Sequence, residues 1–190
     1  MGAAQRLLTY DELYAQIAAL PEGRHGEILG PGWMRPVGRP GSRASHAAMR
    51  VLRRLDAFSI DEGGNWWLGR EIEVRLPGDK LYVPTLVGWR VGGAPLDFLD
   101  ENPVPRVPDW ACEVLSRDIQ KPDRAIKLPT YAAVGVAHTW VFDVEAVSIE
   151  VWEARDGLPA LVAAAVGDAE VALPPFDLPF SPAKLLALAR

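Results

Sequence analysis

The segment that most constrains this chain runs from Val107 to Ser116, with the sequence VPDWACEVLS. Turn-forming residues stand at both ends of it, since Pro108 and Asp109 open it and Ser116 closes it. The residues between are almost all apolar, which is typical of a strand covered on both faces. Glu113 breaks the pattern, and an ionised carboxylate buried without a partner costs several kcal/mol or more. The sequence therefore predicts a cation, a metal ion or a proton beside Glu113.

Two interpretations of Glu113 stay open on this pattern alone. It is either a structural residue, in a buried ion pair or at a strand end that reaches water, or a functional acid. Structural ion pairs also contain acids with perturbed pKa values, so the strand by itself does not choose between them.

Composition sets the class of protein. A chain of 190 residues, 49% hydrophobic and 24% charged, fits a single globular domain over 1–190. The single cysteine, Cys112, excludes an internal disulfide framework and a cysteine-cluster zinc site, and it is consistent with a cytoplasmic protein. We expect neither a signal peptide nor a membrane span. A net charge of −5 argues against a non-specific coat protein for nucleic acid.

The first half of the chain contains a second candidate acid. Thr9 and Glu12 form a capping-box pattern that predicts a helix. The segment 25–30 is a predicted short strand, and Glu27 lies in it beside apolar residues. We expect a loop over 30–45 and a second helix from about Ser45.

Arginines are concentrated around this second helix. Arg35, Arg39 and Arg43 lie in the predicted loop, and the helix adds Arg50, Arg53 and Arg54. These residues form either a solvated helix face or a patch that contacts phosphates. His46, at the helix start, is either a phosphate or substrate contact or a capping or surface residue.

The second half alternates strands and helices. Glu71–Leu76 alternates strictly and predicts a strand, and Pro77–Lys80 predicts a hairpin turn into a returning strand over Leu81–Trp89. A helix is predicted from Gln120, kinked or restarted at Pro129 and ended by Gly135. Two strands over 138–143 and 148–152, a third over 161–166 and a short C-terminal helix through Leu188 complete the chain.

Together these segments resemble the restriction endonuclease family called Uma-two, within the PD-(D/E)XK nuclease superfamily. The resemblance covers nearly the whole chain. The order and spacing of the matching segments are more specific than any one segment. These segments are Glu27–Leu29, His46, Gly64–Leu68, Val83–Leu86, Pro108–Ser116, Asp123–Lys127, Tyr131–Gly135 and Trp140–Asp143.

The resemblance implies an α/β (α+β) fold, a restriction-endonuclease-like mixed central sheet flanked by helices. It also implies one or two divalent metal ions, Mg²⁺ or Mn²⁺, held by carboxylates. Glu113 corresponds to the acidic ligand, the Val114 carbonyl adds an oxygen, and Glu27 matches the accessory acid. The superfamily's lysine would stand at Leu115; in this family it matches Lys127 on the following helix.

One departure from the family pattern concerns the metal. The family has Pro-Asp where this chain has Pro84-Thr85, so a neutral hydroxyl replaces a charged ligand. The chain is then a degenerate member, or residue 85 has been altered, or Glu71 or Glu73 compensates by entering the site.

Three functions are compatible with these residues. The first is a Mg²⁺-dependent DNA endonuclease that uses Glu113, Lys127 and Glu27, impaired by Thr85, with DNA contacts from His46, Arg43 and Arg50. The second is a nuclease-fold module without catalysis that binds nucleic acid or a protein partner. The third is a domain in which Glu113 and Lys127 pair for stability alone. A homodimer is a further expectation.

Overall fold

The computed structural model describes residues 6–38, 40–92, 96–115 and 123–187. Its α-helices are α1 (Tyr10–Ala18), α2 (Ser42–Leu55), α3 (Leu128–Val134) and α4 (Pro182–Leu186). Its strands are β1 (His25–Gly30), β2 (Trp33–Val37), β3 (Trp66–Arg70), β4 (Val74–Leu76), β5 (Lys80–Tyr82), β6 (Leu86–Arg90), β7 (Trp110–Leu115), β8 (His138–Asp143), β9 (Ser148–Arg155), β10 (Leu158–Val166), β11 (Val171–Leu173) and β12 (Leu178–Phe180).

These strands form three sheets. The largest has six strands in the order β10-β9-β8-β7-β6-β3, and a second has four in the order β2-β1-β5-β4. In the six-stranded sheet β7 and β8 run parallel and the other neighbours run antiparallel. β11 and β12 form a separate two-stranded ribbon. The predicted mixed sheet flanked by helices is confirmed.

β7 is the central strand of this core, and all six of its residues are buried. On one face Trp110 packs in a cluster with Trp140 and the apolar side of α2. On the other face Ala111 joins a cluster that contains Tyr131 of α3. Because both faces are covered, the continuous apolar run was a correct sign of a buried strand, and Glu113 lies within it, only 3% exposed.

α1 fixes the position of the strand that carries Glu27. The predicted capping box is present, since the Thr9 hydroxyl accepts from the Glu12 N–H while the Glu12 carboxylate accepts from the Thr9 N–H. Ile17 of α1 then packs directly on Gly26, where a Cβ atom would overlap the Ile17 side chain. Glycine at 26 therefore lets the helix lie against β1 beside Glu27.

Two sequence predictions in the first half of the chain were wrong in detail. The segment 30–45 is not a loop throughout, because β2 pairs with β1 from Val37 to Trp33. β2 lies at the edge of its sheet and none of its residues is buried, so it has no apolar alternation to reveal it. α2 begins at Ser42 rather than about Ser45.

The predicted strand over 81–89 is two strands in two different sheets. β5 pairs with β1 and β4, whereas β6 pairs with β3 and β7. Pro84, which has no N–H to give to a ladder, lies at the break between them. The preceding strand is also shorter than predicted, Val74–Leu76, and the hairpin turn over 77–80 that joins it to β5 is confirmed.

The helix after β7 has two parts. Asp123–Lys127 is a π-helix, and α3 begins at Leu128 with Pro129 in its first turn. Gly135 ends α3 in the left-handed conformation, at φ +91°. Gln120–Pro122 and Leu188 lie outside the described residues. None of the described helices is long and apolar enough to cross a membrane. One domain over 1–190 stays a prediction.

Candidate functional site

Three side chains from distant parts of the chain meet in one cavity. Glu27 comes from β1, Glu113 from β7 and Lys127 from the end of the π-helix, and all three line the cavity. The Lys127 Nζ lies 2.7 Å from Glu27 Oε1 and 2.6 Å from Glu113 Oε1. All three residues are at most 3% exposed. The partner that the sequence required for Glu113 is therefore the ammonium of Lys127.

Neutral donors also hold the two glutamates in place. The Tyr131 hydroxyl donates to Glu113 Oε1 at 2.6 Å, and the Val83 N–H donates to Glu27 Oε1 at 3.0 Å. Tyr131 itself packs edge-on against Tyr82, whose ring lies 5.6 Å from Lys127 Nζ. Donors to a buried carboxylate offset its desolvation, so these contacts contribute to keeping charged groups in the interior.

Two further charged residues belong to the cluster. Arg35 of β2 donates to Glu27 Oε2 and, at 3.1 Å, to Asp123 Oδ1. Asp123 Oδ1 lies 3.9 Å from Lys127 Nζ. The spacing of Asp123 and Lys127, four residues apart on one helix, was a signal that could have identified the acid. Arg35 had no such signal, because its strand was predicted as a loop.

The surroundings shift the pKa values of the two glutamates in opposite directions. Burial raises the pKa of Glu113 to about 7, although the charge of Lys127 opposes the rise. Burial acts on Glu27 in the same direction, but the charges of Lys127 and Arg35 outweigh it and lower the pKa of Glu27. Burial would lower the pKa of Lys127, yet the surrounding carboxylates raise it above its usual value. Lys127 is thus an ammonium, and the pKa of Glu113, about 7, lies closer to neutral pH than that of an exposed glutamate.

Asp123 has a different balance from Glu27. Burial raises the pKa of Asp123 above its usual value, although Lys127 and Arg35 oppose the rise. Two of the three buried acids in the cluster therefore bind a proton more readily than they would in water.

Residue 85 lies between two glutamates of neighbouring chain segments. Leu86 pairs with Arg70 of β3 on one side and with Cys112 of β7 on the other. The next residue, Thr85, accordingly lies beside Glu71, whose N–H donates to the Thr85 carbonyl at 3.2 Å. On the β7 side, the Val114 N–H donates to the Thr85 hydroxyl at 3.1 Å. Thr85, Val114 and Glu71 all line the same cavity as Glu113.

The structure distinguishes the two acids that were considered as replacements for an acid at 85. Glu73 accepts a hydrogen bond from the Tyr14 hydroxyl of α1 at 2.9 Å and is not among the residues that line the cavity. Glu71 does line it, and its carboxylate pairs with Arg70 at 3.0 Å.

The predicted nucleic-acid contacts lie elsewhere. Arg43, His46 and Arg50 are all on α2, and none of them lines the Glu113 cavity. Arg50 lines a separate cavity beside α4, where it donates to the Lys184 carbonyl. His46 Nε2 is buried and has no hydrogen-bond partner among the described residues.

The cavity suits a small hard cation in the type of its donors. Glu27, Glu113 and Thr85 offer side-chain oxygens, the ligands that Mg²⁺ and Mn²⁺ prefer, and Glu27 and Glu113 already hold one positive charge, the Lys127 ammonium. The number of carboxylates is low, however. Among the described residues, no three His, Cys, Asp or Glu side chains are arranged around one ion position.

Comparisons with known proteins agree with this fold. A family model described as Uma2, putative restriction endonuclease, matches residues 10–183. A crystal structure described as a putative nuclease belonging to DUF820, from Anabaena variabilis, superposes with a TM-score of 0.72 at 18% identity, over 95% of this chain and 99% of the other. A search of curated proteins gives no match. At this identity the structural likeness supports the fold alone.

Proposed function

Because this chain belongs to the Uma2 family of putative restriction endonucleases, we propose that it is a nuclease that hydrolyses phosphodiester bonds of DNA at the cavity of Glu27, Glu113 and Lys127. The observation that carries the proposal is the meeting of these three side chains, which are separated by up to 100 residues, around one ammonium. The family pattern predicted these three residues, and a hydrolytic site requires their side chains to lie in one cavity.

Each residue has a chemical role in this proposal. Glu113, Thr85, the Val114 carbonyl and Glu27 would hold Mg²⁺ or Mn²⁺, one or two ions. Such an ion polarises a phosphoryl oxygen and lowers the pKa of a bound water. The Lys127 ammonium orients the attacking water or stabilises the charge that develops on the phosphate. Tyr131 holds the Glu113 carboxylate through its 2.6 Å hydrogen bond.

Thr85 makes this a weak nuclease in our proposal. A hydroxyl can touch Mg²⁺, but it brings no negative charge, so the cation is held with one carboxylate fewer than the family pattern supplies. We therefore expect slow cleavage at millimolar metal.

Plasmid cleavage with Mg²⁺ or Mn²⁺ tests the proposal. The native chain should nick DNA slowly, and Glu113→Gln and Lys127→Met should abolish nicking. Lys184→Met is the matched control, since this exposed lysine pairs with Glu170 at the surface. Cleavage that survives in both the Glu113→Gln and the Lys127→Met proteins would remove the assigned site.

A second candidate is a nuclease-fold module without catalysis that binds nucleic acid or a protein partner. It is favoured by Thr85 together with the Lys127 ammonium, which lies within 2.7 Å of both glutamates. Thr85→Asp discriminates the two. A native chain that does not cleave, together with a Thr85→Asp protein that cleaves and binds the metal about tenfold or more tightly, indicates a disabled site. No change in either quantity counts against it.

In both candidates we propose that α2 contacts the nucleic acid. Arg43, His46 and Arg50 follow one another at helical spacing, three and four residues apart, so they share one face of α2. Arginines that bind phosphates release counterions, so affinity falls as salt rises. Arg43→Ala combined with Arg50→Ala should weaken DNA binding and reduce its salt dependence. An unchanged salt dependence would show that α2 is not the contact surface.

A further inference from the structure

Glu71 lines the cavity beside Thr85, and its carboxylate has no counterpart in the family pattern. Glu71 follows β3 directly, and the pairing of Arg70 with Leu86 brings it beside Thr85. The pairing of Leu86 with Cys112 brings Glu113 to the other side of Thr85. Both ladders end at Leu86, and their registers continued by one residue place Glu71, Thr85 and Glu113 in one row, with all three residues lining the cavity.

The charges around the cavity favour a divalent cation. Its lining residues include four carboxylates and two permanent cations, Arg35 and Lys127, which leaves a formal charge of −2 when the acids are ionised and His25 is neutral. Glu27 and Asp123 already pair with both Arg35 and Lys127. Glu113 also pairs with Lys127, so Glu71 is the one lining carboxylate that pairs with neither of these cations.

The two carboxylate oxygens of Glu113 differ in their contacts. The Tyr131 hydroxyl donates to Oε1, which is also the oxygen closest to Lys127. No hydrogen bond from a described residue reaches Oε2, although the side chain is buried. Because Glu113 lines the cavity, an oxygen of its carboxylate without a donor is suited to a ligand that supplies positive charge.

Glu71 is held in place by its backbone rather than by its side chain. Its φ is +54°, a left-handed conformation that costs a non-glycine residue roughly 1–2 kcal/mol. Its only ion pair within the described part of the chain is with the neighbouring Arg70, which is 39% exposed, and such surface pairs do little to fix a side chain. The carboxylate is therefore free to exchange Arg70 for a cation in the cavity.

We propose that Glu71 supplies the carboxylate that position 85 lacks, so that Glu71 and Glu113 together hold a small divalent cation beside Thr85. This inference rests on the proposed function, because it concerns the same cavity. On this proposal the acid missing at residue 85 is replaced by Glu71, the residue that directly follows β3, and the Thr85 hydroxyl keeps its place in the row.

Titration with Mn²⁺, followed by the loss of the free-ion signal in electron paramagnetic resonance, tests this inference without reference to cleavage. Glu71→Gln should weaken Mn²⁺ binding about tenfold or more. Glu73→Gln is the matched control and should leave binding unchanged, since Glu73 contacts Tyr14 outside the cavity. Thr85→Asp in the Glu71→Gln background should restore binding, which a general effect of Glu71→Gln on folding would not allow.

The outcomes separate this inference from the proposed function. Mn²⁺ binding that depends on Glu71 and Glu113, without DNA cleavage, supports the inference and overturns the nuclease proposal. Cleavage that depends on Glu113 and Lys127 but is indifferent to Glu71→Gln, with unchanged Mn²⁺ affinity, overturns the inference and leaves the proposal standing. A native chain that binds no Mn²⁺ while the Thr85→Asp protein does overturns the inference.

Discussion

The Lys127 ammonium lies 2.6 Å from the Glu113 carboxylate, with both groups buried. Glu113 enters the core because β7 is covered on both faces, and Lys127 reaches it from the π-helix that precedes α3. This contact is compatible with a hydrolytic role for Glu113 and also with a purely structural role. They differ in whether the site can exchange part of its internal charge pairing for a metal ion.

The first prediction concerns the stability that this pair contributes. Lys127→Met removes the ammonium and leaves Glu113 buried with the Tyr131 hydroxyl as its one donor among the described residues, while Glu27 retains Arg35. Removing one partner of a buried pair typically costs about 3–5 kcal/mol of unfolding free energy. We expect a loss of that order in urea denaturation at pH 8.

The double variant Lys127→Met with Glu113→Gln removes both charges, so it should be more stable than Lys127→Met alone. Lys184→Met, at a surface pair, should change the unfolding free energy little. A Lys127→Met protein as stable as the native chain would mean that Glu113 is not paired in solution.

The second prediction concerns pH. The pKa of Glu113 is raised to about 7 in the folded protein, above its value in the unfolded chain, so folding favours its protonated form. Its contribution to stability is therefore present at about pH 5 and is lost as pH rises through about 7. Glu27 adds no slope in this window, because its pKa is lowered and it is ionised in both states.

Unfolding free energies measured between about pH 5 and pH 8 should fall with pH in the native chain, and Glu113→Gln should flatten that fall. Asp123→Asn is the comparison for the other acid whose pKa is raised. A slope that Glu113→Gln leaves intact would assign the titration to another residue.

The sequence predicted the central strand and its charged exception because both depend on local patterns. A continuous apolar run requires cover on both faces, and a single acid within it requires a counter-charge, so Glu113 was identifiable before its partner was known. Glu27 and Lys127 came from the family resemblance, and no period in the sequence relates residues 100 positions apart. Gly135 and the Thr9–Glu12 capping box were predictable because each acts within a few residues.

The parts that the sequence did not predict depend on pairing between distant strands. Arg35 joins the site only because β2 is a sheet edge, and an edge strand with polar and apolar residues mixed has no period to detect. The division at Pro84 is a further case, since the run from Leu81 to Trp89 is mostly apolar while its halves belong to different sheets. The position of Glu71 beside Thr85 follows from register, which the alternating pattern of residues 71–76 did not define.

The third prediction concerns the hydroxyl that holds Glu113. Tyr131→Phe removes the 2.6 Å hydrogen bond to Glu113 Oε1. Hydrogen bonds to charged groups contribute roughly 1.5–3 kcal/mol, so we expect a loss of that order at pH 8. Without this donor the ionised form of Glu113 is less favoured, so its pKa should rise further and the pH at which stability falls should move upward.

Tyr82→Phe is the matched control for this change. The Tyr82 hydroxyl donates to the Thr130 hydroxyl at 3.1 Å, a bond between neutral groups. Its loss should cost about 0.5–1.5 kcal/mol and leave the midpoint of the pH dependence in place. Equal midpoints in the Tyr131→Phe and native proteins would show that the tyrosine does not act on the Glu113 charge.

The last prediction separates the structural role of Thr85 from its role in the cavity. Its hydroxyl accepts the N–H of Val114, a residue only 3% exposed, where the β6–β7 ladder has ended. Thr85→Val has nearly the same shape but no acceptor, so that buried N–H stays unpaired and we expect a loss of about 1–3 kcal/mol. Thr85→Ser keeps the acceptor and should lose less. Thr85→Asp also keeps an acceptor for Val114, so a folded Thr85→Asp protein can report on metal binding and cleavage without a defect in the strand. Urea denaturation of the three variants checks the order, and a Thr85→Val protein as stable as Thr85→Ser would show that Val114 finds another partner.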